Sequence, residues 1–224
     1  MSVKSHERLT FTLGKCRDLT APITPDTVVF PGDPRFSSRA VATIGAQSLC
    51  GLSEMKMGNH LGTHIDFPAH VFPQGKTSSD YSLQHLMGHG IILEVPIEFS
   101  SIGKNFVSQQ PILQNDFVFF KTSNSGINKQ GGFCEKYVYI EPDAVDALLE
   151  KKVRVVGIDY ISVDALHAEE LPVHKALLER DILIVENLEL QGVDPGRCFL
   201  FVMPLNVPGM DGLPARVLMM SAVD

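Results

Sequence analysis

Three histidines and one aspartate lie close together in the segment His60-Leu-Gly-Thr-His-Ile-Asp-Phe-Pro-Ala-His70, although the whole chain of 224 residues has only eight histidines. Even-numbered positions hold the polar residues His60, His64, Asp66 and His70. Imidazole and carboxylate groups without thiolates suit Zn²⁺ or Mn²⁺, and the residue types alone do not choose between these ions. The segment therefore predicts a metal site, whereas a single histidine would more often be an ordinary surface or core residue.

The even spacing indicates a β-strand with one polar face, but a straight strand could not gather all four side chains around one ion. At ~3.3 Å per residue, His60 and Asp66 would lie about 20 Å apart, whereas metal–ligand bonds measure about 2 Å. Gly62 tolerates unusual backbone dihedrals and Pro68 interrupts a strand ladder. We therefore predict that the chain bends at these two residues, that His64 and Asp66 share a metal directly, and that His60 joins them through the bend.

Other titratable residues are weaker candidates. His174 falls in the first turn of a predicted helix, and Glu186 follows a predicted buried strand, at the strand end where α/β sheets tend to gather their sites. Each of them alone would more often be an ordinary helix-start or strand-end residue. His85 and His89 have no carboxylate nearby in the sequence, and we interpret them as part of a short helix that ends near Gly88.

The elements that must position these residues alternate between strand and helix. Nearly continuous apolar runs predict buried strands at residues 90–96, 117–122, 153–159, 182–185 and 198–203. Prolines near the N-terminus of a helical apolar pattern predict helices at residues 142–151 and 172–179. A short strand is expected at residues 28–30, and Asp211-Gly212 between two apolar runs indicates a hairpin. The alternation predicts an α/β fold with a mixed sheet partly covered by helices.

Composition narrows the class of protein. A hydrophobic fraction of 44% and a charged fraction of 20% are typical of a globular protein, and we expect residues 1–224 to form a single domain. A net charge of −7 without a basic cluster argues against a nucleic-acid partner. No run approaches the roughly 18 apolar residues of a membrane span, and no signal-peptide pattern opens the chain. We interpret the four dispersed cysteines as reduced thiols and expect a cytoplasmic protein that does not enter the membrane.

Residues 60–70 match the pattern H-x-G-T-H-x-D-x-P-x-H, and on this motif the chain resembles the cyclase family of metal-dependent hydrolases, which includes bacterial kynurenine formamidases and isatin hydrolases. Further segments resemble the family in family order, at residues 18–20, 31–34, 121–125, 156–162, 174–178, 185–188 and 204–216. The resemblance implies a swivelling β/β/α fold, a homodimer or homotetramer, and a centre of one or two metal ions.

The resemblance also implies a role for each candidate residue. By motif position, the first metal would be held by His60, His64 and Asp66. Asp66 would bridge to a second metal held with His174 and Glu186. His70 would be the catalytic acid and base rather than primarily a ligand, which suits an imidazole whose ordinary pKa lies near working pH.

The activity implied by the resemblance is hydrolysis of a small-molecule aryl formamide such as N-formylkynurenine, which releases formate and an aromatic amine. Activation of water by a metal ion would make a serine or cysteine nucleophile unnecessary, and the chain has no G-x-S-x-G motif. Two alternatives remain open. The chain could hydrolyse a cyclic amide or lactone, as isatin hydrolases do, or it could be a non-catalytic metal-binding or ligand-sensing module on the same fold.

The sequence departs from the formamidases in the aromatic residue before its Pro-Gly-Asp loop. Many of those enzymes carry an aromatic residue there, often a tryptophan, whereas this chain has Phe30 and no tryptophan at all. Phe30, Phe67 and Phe72 are therefore the candidates for an aromatic substrate pocket, and each is equally suited to the core.

Overall fold

The computed structural model describes residues 16–46, 48–127 and 129–221. The strands of this part of the chain are β1 (Cys16–Asp18), β2 (Ser37–Ala42), β3 (Leu52–Lys56), β4 (His64–Asp66), β5 (Met87–Glu94), β6 (Ser101–Ile102), β7 (Phe117–Lys121), β8 (Tyr139–Ile140), β9 (Val155–Ile158), β10 (Leu183–Glu186), β11 (Gly196–Pro204) and β12 (Gly212–Ser221). Its α-helices are α1 (Lys104–Ser108), α2 (Pro142–Glu150) and α3 (Pro172–Leu178).

Eight strands form the main sheet, in the order β1-β12-β11-β5-β7-β9-β10-β4. β4 also pairs with β12, so that seven of these strands close into a barrel-like ring. The pairs among β5, β7, β9 and β10 are parallel, whereas β4, β11 and β12 pair with antiparallel neighbours. β2 and β3 form a separate two-stranded ribbon whose residues are almost all exposed.

The ring strands β7, β9 and β10 bury both of their faces, as their continuous apolar sequences predict, whereas β11 and β12 leave one face partly exposed. In β7, Phe117 and Phe119 pack in one core cluster with apolar residues of β4, β11 and β12. Val118 and Phe120 point the opposite way and pack in a second cluster with apolar residues of α2 and α3. This period-2 alternation means that one core fills the ring and the other joins the ring to its helices.

The predicted α/β class with a mixed sheet is confirmed, and the five buried strands and two helices all lie where the apolar pattern placed them, within a few residues. The strand expected at residues 28–30 is wrong. Val28 and Val29 are buried, but the neighbouring pairing is a single bridge between Thr27 and Gln130 rather than a ladder. Apolar burial without a partner strand produced the false strand signal.

Two local interpretations also need correction. Leu83–His85 is only a short 3₁₀ turn, and His89 lies in β5 opposite Phe199 of β11, because pairing with that strand outweighs the helical spacing of the two histidines. The Asp211-Gly212 dipeptide is not a tight hairpin turn. β11 and β12 do pair antiparallel, but residues 205–211 connect them and Gly212 already belongs to β12, where it pairs with β4.

Two further expectations concern the environment of the chain. The four cysteines are free thiols, as predicted. Among the helices in the described ranges, none is both long enough and apolar enough to cross a membrane.

Candidate metal centre

The short strand β4 carries the centre of the predicted motif and lies between two other strands. On one side it pairs with β10, where His64 stands opposite Glu186 and Asp66 stands opposite Ile184. On the other side it pairs with β12, where Asp66 stands opposite Gly212. This register brings Glu186 to the motif from a position 122 residues further along the chain, which the sequence pattern by itself could not show.

The chain bends on both sides of β4, at the two residues from which the bend was predicted. Gly62 has a φ of +67°, a left-handed conformation that glycine adopts without steric cost. Pro68 opens a 3₁₀ turn that ends at His70. As a result, the rings of His60 and His70 lie with their centroids 4.1 Å apart, although ten positions separate them.

Asp66 stands at the middle of the cluster. Its Oδ1 lies 2.7 Å from Nδ1 of His60 and 3.3 Å from Nε2 of His64. Its Oδ2 lies 3.6 Å from Nε2 of His174. Glu186 spans the other side, with Oε2 at 3.5 Å from Nε2 of His64 and Oε1 at 3.2 Å from Nε2 of His174. The structure thus brings together all five residues for which the resemblance implies metal binding.

Each of the three histidines around Asp66 has its second ring nitrogen next to an acceptor outside the cluster. His64 Nδ1 donates to the carbonyl oxygen of Gly62 at 2.8 Å. His174 Nδ1 lies 2.7 Å from Oδ2 of Asp164, and His60 Nε2 lies 3.0 Å from Oδ2 of Asp211. Such outer partners fix the ring orientation and leave the inner nitrogen free to bind a metal ion. The inner nitrogens are Nδ1 of His60 and Nε2 of the other two.

The carboxylates of the cluster strongly favour positive charge on the histidines around them. Burial alone lowers the pKa of His60, but the carboxylates of Asp66 and Asp211 outweigh burial and raise it to about 9. The pKa of His174 is likewise raised well above its usual value, against the effect of burial, by its carboxylate neighbours. Burial raises the pKa of Asp66, yet the surrounding histidines hold it well below its usual range.

The donor set fits a divalent cation. Oδ2 of Asp66 is buried and accepts no hydrogen bond, although Asp66 is completely shielded from solvent. A buried carboxylate oxygen without a partner is costly and demands an explanation. His60, His64 and Asp66 form one group that could hold a metal ion, and Asp66, His70 and His174 form another. A cation bound to Asp66 would satisfy its unpartnered oxygen, and imidazole with carboxylate suits Zn²⁺ or Mn²⁺.

His70 differs from the other histidines of the site. Its side chain is 26% exposed, and its Nδ1 lies 3.6 Å from Oδ2 of Asp211, beyond hydrogen-bond distance. Burial lowers its pKa, and the nearby Asp66 does not overcome that effect. Its ring lies 5.6 Å from that of His174, centroid to centroid. His70 is therefore a neutral imidazole at the open edge of the cluster.

Sequence reasoning missed two aspartates that hold the ligands. Asp164 follows β9 by six residues, and its distance from the strand end hid its link to His174. Asp211 was interpreted only as a turn residue. No local pattern distinguished Asp211 from an ordinary turn residue, because its contact with the His60 ring depends on the pairing of β12 with β4.

The three candidate aromatic residues lie in different environments. Phe67 is almost completely buried in the core of the ring and stacks on Tyr81. Phe72 is half-buried against the core on the helix side. Phe30 is 37% exposed and contacts Phe133 edge to face, with ring centroids 5.6 Å apart. Of the three, Phe30 is therefore the one that offers an exposed aromatic surface.

Together, the fold and the site define an α/β protein with a closed mixed sheet that carries a preformed cluster of metal-ligand side chains. A model of the Cyclase family, described as "Putative cyclase", matches residues 17–165. The chain is 34% identical over 208 residues to the kynurenine formamidase of Salinibacter ruber, and this match covers 92% of the chain and 98% of that relative. The chain therefore belongs to the cyclase family.

Solved structures agree with this assignment. The structure of a potential metal-dependent hydrolase with cyclase activity shares 31% identity with a TM-score of 0.83, and the match covers 94% of this chain and 99% of that one. Isatin hydrolase A from Labrenzia aggregata, bound to benzyl benzoate, has a TM-score of 0.81 at 20% identity, over 94% of this chain and 96% of that one. At that identity the isatin hydrolase shows the shared fold alone.

Proposed function

We propose that this protein is a metal-dependent amidohydrolase that cleaves an aryl formamide such as N-formylkynurenine. The observation that carries the metal is the buried, unpartnered oxygen of Asp66 within a cluster of three imidazoles. The ligand residues are His60, His64, Asp66, His174 and Glu186, for one or two ions of Zn²⁺ or Mn²⁺. The substrate class is supported by the kynurenine formamidase relative, which aligns over nearly the whole chain.

A bound cation and the side chain of His70 would have different roles in the hydrolysis. A divalent cation bound at this cluster would lower the pKa of a water molecule and polarise the formyl carbonyl group. His70, neutral at the open edge, accepts the proton of the attacking water and then donates it to the leaving nitrogen. The C–N bond breaks as this proton arrives, and formate and the free aromatic amine are the products.

The aryl group of the substrate needs an apolar surface. Phe30 and Phe133 provide one, because their edge-to-face pair leaves part of Phe30 exposed. Phe133 in turn packs in the same cluster as Tyr137, whose hydroxyl donates to the carbonyl oxygen of Asp164. The aromatic cluster is thereby connected to the residue that holds His174.

The test combines elemental analysis with a substrate panel. Protein purified without chelator is analysed for Zn and Mn, and formate release from N-formylkynurenine is measured with and without added Zn²⁺ or Mn²⁺. Bound metal with metal-dependent formate release supports the proposal. Bound metal with turnover only of cyclic amides or lactones replaces the substrate class, and no metal under any loading refutes the metal centre.

The assembly and the location of the protein stay predictions. A homodimer or homotetramer follows from the family resemblance, and sedimentation equilibrium of the purified chain would measure it. The cytoplasmic location would be measured by fractionation of cells that express the protein.

A further inference from the structure

Asp211 lies at the point where the loop after β11 enters β12, beside the half-exposed part of the cluster. Its backbone carbonyl accepts a hydrogen bond from the amide of Phe67 at 2.9 Å, which fixes this residue against the end of β4. Its side-chain Oδ1 accepts from Nδ2 of Asn59 at 2.8 Å. Asp211 is therefore held at its backbone carbonyl and at one carboxylate oxygen. These two contacts fix the direction of the second carboxylate oxygen.

That second oxygen, Oδ2, lies 3.0 Å from Nε2 of His60, whose Nδ1 faces Asp66. The arrangement repeats the one at His174, whose Nδ1 is paired with Asp164 while its Nε2 faces Asp66 and Glu186. The next residue, Gly212, is shaped to the same ring, because a Cβ there would lie 2.2 Å from Cε1 of His60. The start of β12 is thus built around the outer side of the His60 ring.

The same oxygen of Asp211 is also the carboxylate oxygen that lies 3.6 Å from Nδ1 of His70. The rings of His60 and His70 lie side by side, with centroids 4.1 Å apart. A single oxygen therefore stands close to one candidate ligand and to the histidine that carries protons in the proposed mechanism.

We propose that Asp211 is a positioning residue of the metal centre, which orients His60 for metal binding through Nδ1. This inference rests on the proposed metal centre but not on the identity of the substrate. Asp211 is not itself a ligand in this assignment, because its oxygen faces the outer nitrogen of His60 rather than the inner one.

The experiment measures metal binding apart from turnover. Chelator-treated wild-type protein and the variants Asp211→Ala and Asp211→Asn are titrated with Co²⁺, and both the dissociation constant and the visible absorption spectrum of the saturated protein are recorded. Formate release then gives kcat and KM for each variant. Asp194→Ala, at an exposed residue of the segment between β10 and β11, is the matched control.

We expect Asp211→Ala to weaken Co²⁺ binding by roughly 10- to 100-fold, the usual effect of removing an outer partner of a metal ligand. The spectrum of the saturated protein should shift, and kcat should fall with little change in KM. Asp211→Asn should lose less affinity, because its one carbonyl oxygen can serve either His60 or Asn59 but not both. Because it keeps the shape of the aspartate, it also tests the role if the alanine variant does not fold.

Three results would overturn the inference. Wild-type affinity and spectrum in both variants would show that Asp211 positions nothing. A lower number of bound ions at saturation would make Asp211 a ligand. Wild-type protein that binds no Co²⁺ would refute the metal centre together with this inference. Co²⁺ binding with no formamide turnover, by contrast, would refute only the proposed substrate, and the affinity and spectrum would still decide the role of Asp211.

Discussion

The two sides of the metal-ligand cluster differ in burial and in the way their residues are held. On the closed side, formed by β4, β10 and α3, the side chains of His64, His174 and Glu186 are at most 5% exposed. On the open side, near the start of β12, the side chains of His60 and Asp211 are 18% and 41% exposed. The closed side is part of the core, and the open side borders solvent.

This difference separates two tasks. The closed side needs no access for substrate, and its shielding strengthens the attraction between a cation and the carboxylates. The open side must admit a substrate and let protons move, which suits His70 at the edge. Asp66 contacts both sides, because its Oδ1 lies near His60 of the open side and His64 of the closed side, and its Oδ2 lies near His174. The comparison therefore predicts different consequences for changes on the two sides.

The largest effect is expected from Asp66→Ala, which removes the residue that both sides share. Because the three inner nitrogens then lose their common carboxylate, metal affinity should fall by more than the ~10- to 100-fold that an outer partner costs, and formate release should disappear. Elemental analysis of protein equilibrated with Zn²⁺ or Mn²⁺ measures the metal, with Asp194→Ala as control. Unchanged metal content would place the centre elsewhere.

His70→Ala changes only the open side. We expect kcat to fall by roughly 10²- to 10⁴-fold, the usual contribution of a general acid or base, while metal content stays at the wild-type level. His167→Ala, at an exposed histidine, is the matched control and should leave both quantities unchanged. Loss of metal from the His70 variant would move this residue into the ligand set and remove the distinction between the two sides at this position.

Asp164→Ala tests the closed side and should affect metal binding and folding together. Asp164 accepts hydrogen bonds from the backbone amides of Val173 and His174 and pairs with the His174 ring. We expect metal affinity to fall by roughly 10- to 100-fold, and the metal-free protein to lose about 1–3 kcal/mol of unfolding free energy, because buried donors lose their acceptor. Urea unfolding with chelator measures the second quantity. A stability loss as large in Asp211→Ala would contradict the comparison.

The fold was predictable wherever an element is buried on both faces. The apolar runs that became β5, β7, β9 and β10 are too short for a typical buried helix, and their positions followed from sequence alone. Elements whose structure depends on pairing with a strand distant in the sequence were not predictable. His89 became a strand residue through β11, and residues 28–30 lacked a strand because the described part of the chain offers them only the isolated bridge between Thr27 and Gln130.

The same distinction between local sequence and tertiary pairing applies to the residues of the metal site. The spacing of His60, His64 and Asp66 indicated a metal site, and the glycine and proline in the motif indicated its bends. The contacts of Glu186 and Asp211 depend on the register of β4 with β10 and β12, which is set by tertiary pairing rather than by local sequence. The Asp-Gly dipeptide is typical of a tight turn, but it also occurs where a strand begins at a functional site. The turn interpretation of this dipeptide therefore hid its functional role.

The smallest effect is expected from Phe30→Ala, which removes exposed aromatic surface without changing a residue of the cluster. Loss of an aromatic contact of about 0.5–1.5 kcal/mol should raise KM for an aryl formamide by roughly two- to tenfold, with metal content unchanged. An N-alkyl formamide, which has no ring to stack, should show no such change in KM. Equal effects on both substrates would mean that Phe30 supports only the packing of Phe133 and that the aryl group binds elsewhere. The open side would then supply proton transfer alone, and substrate selection would have to reside in another part of the chain.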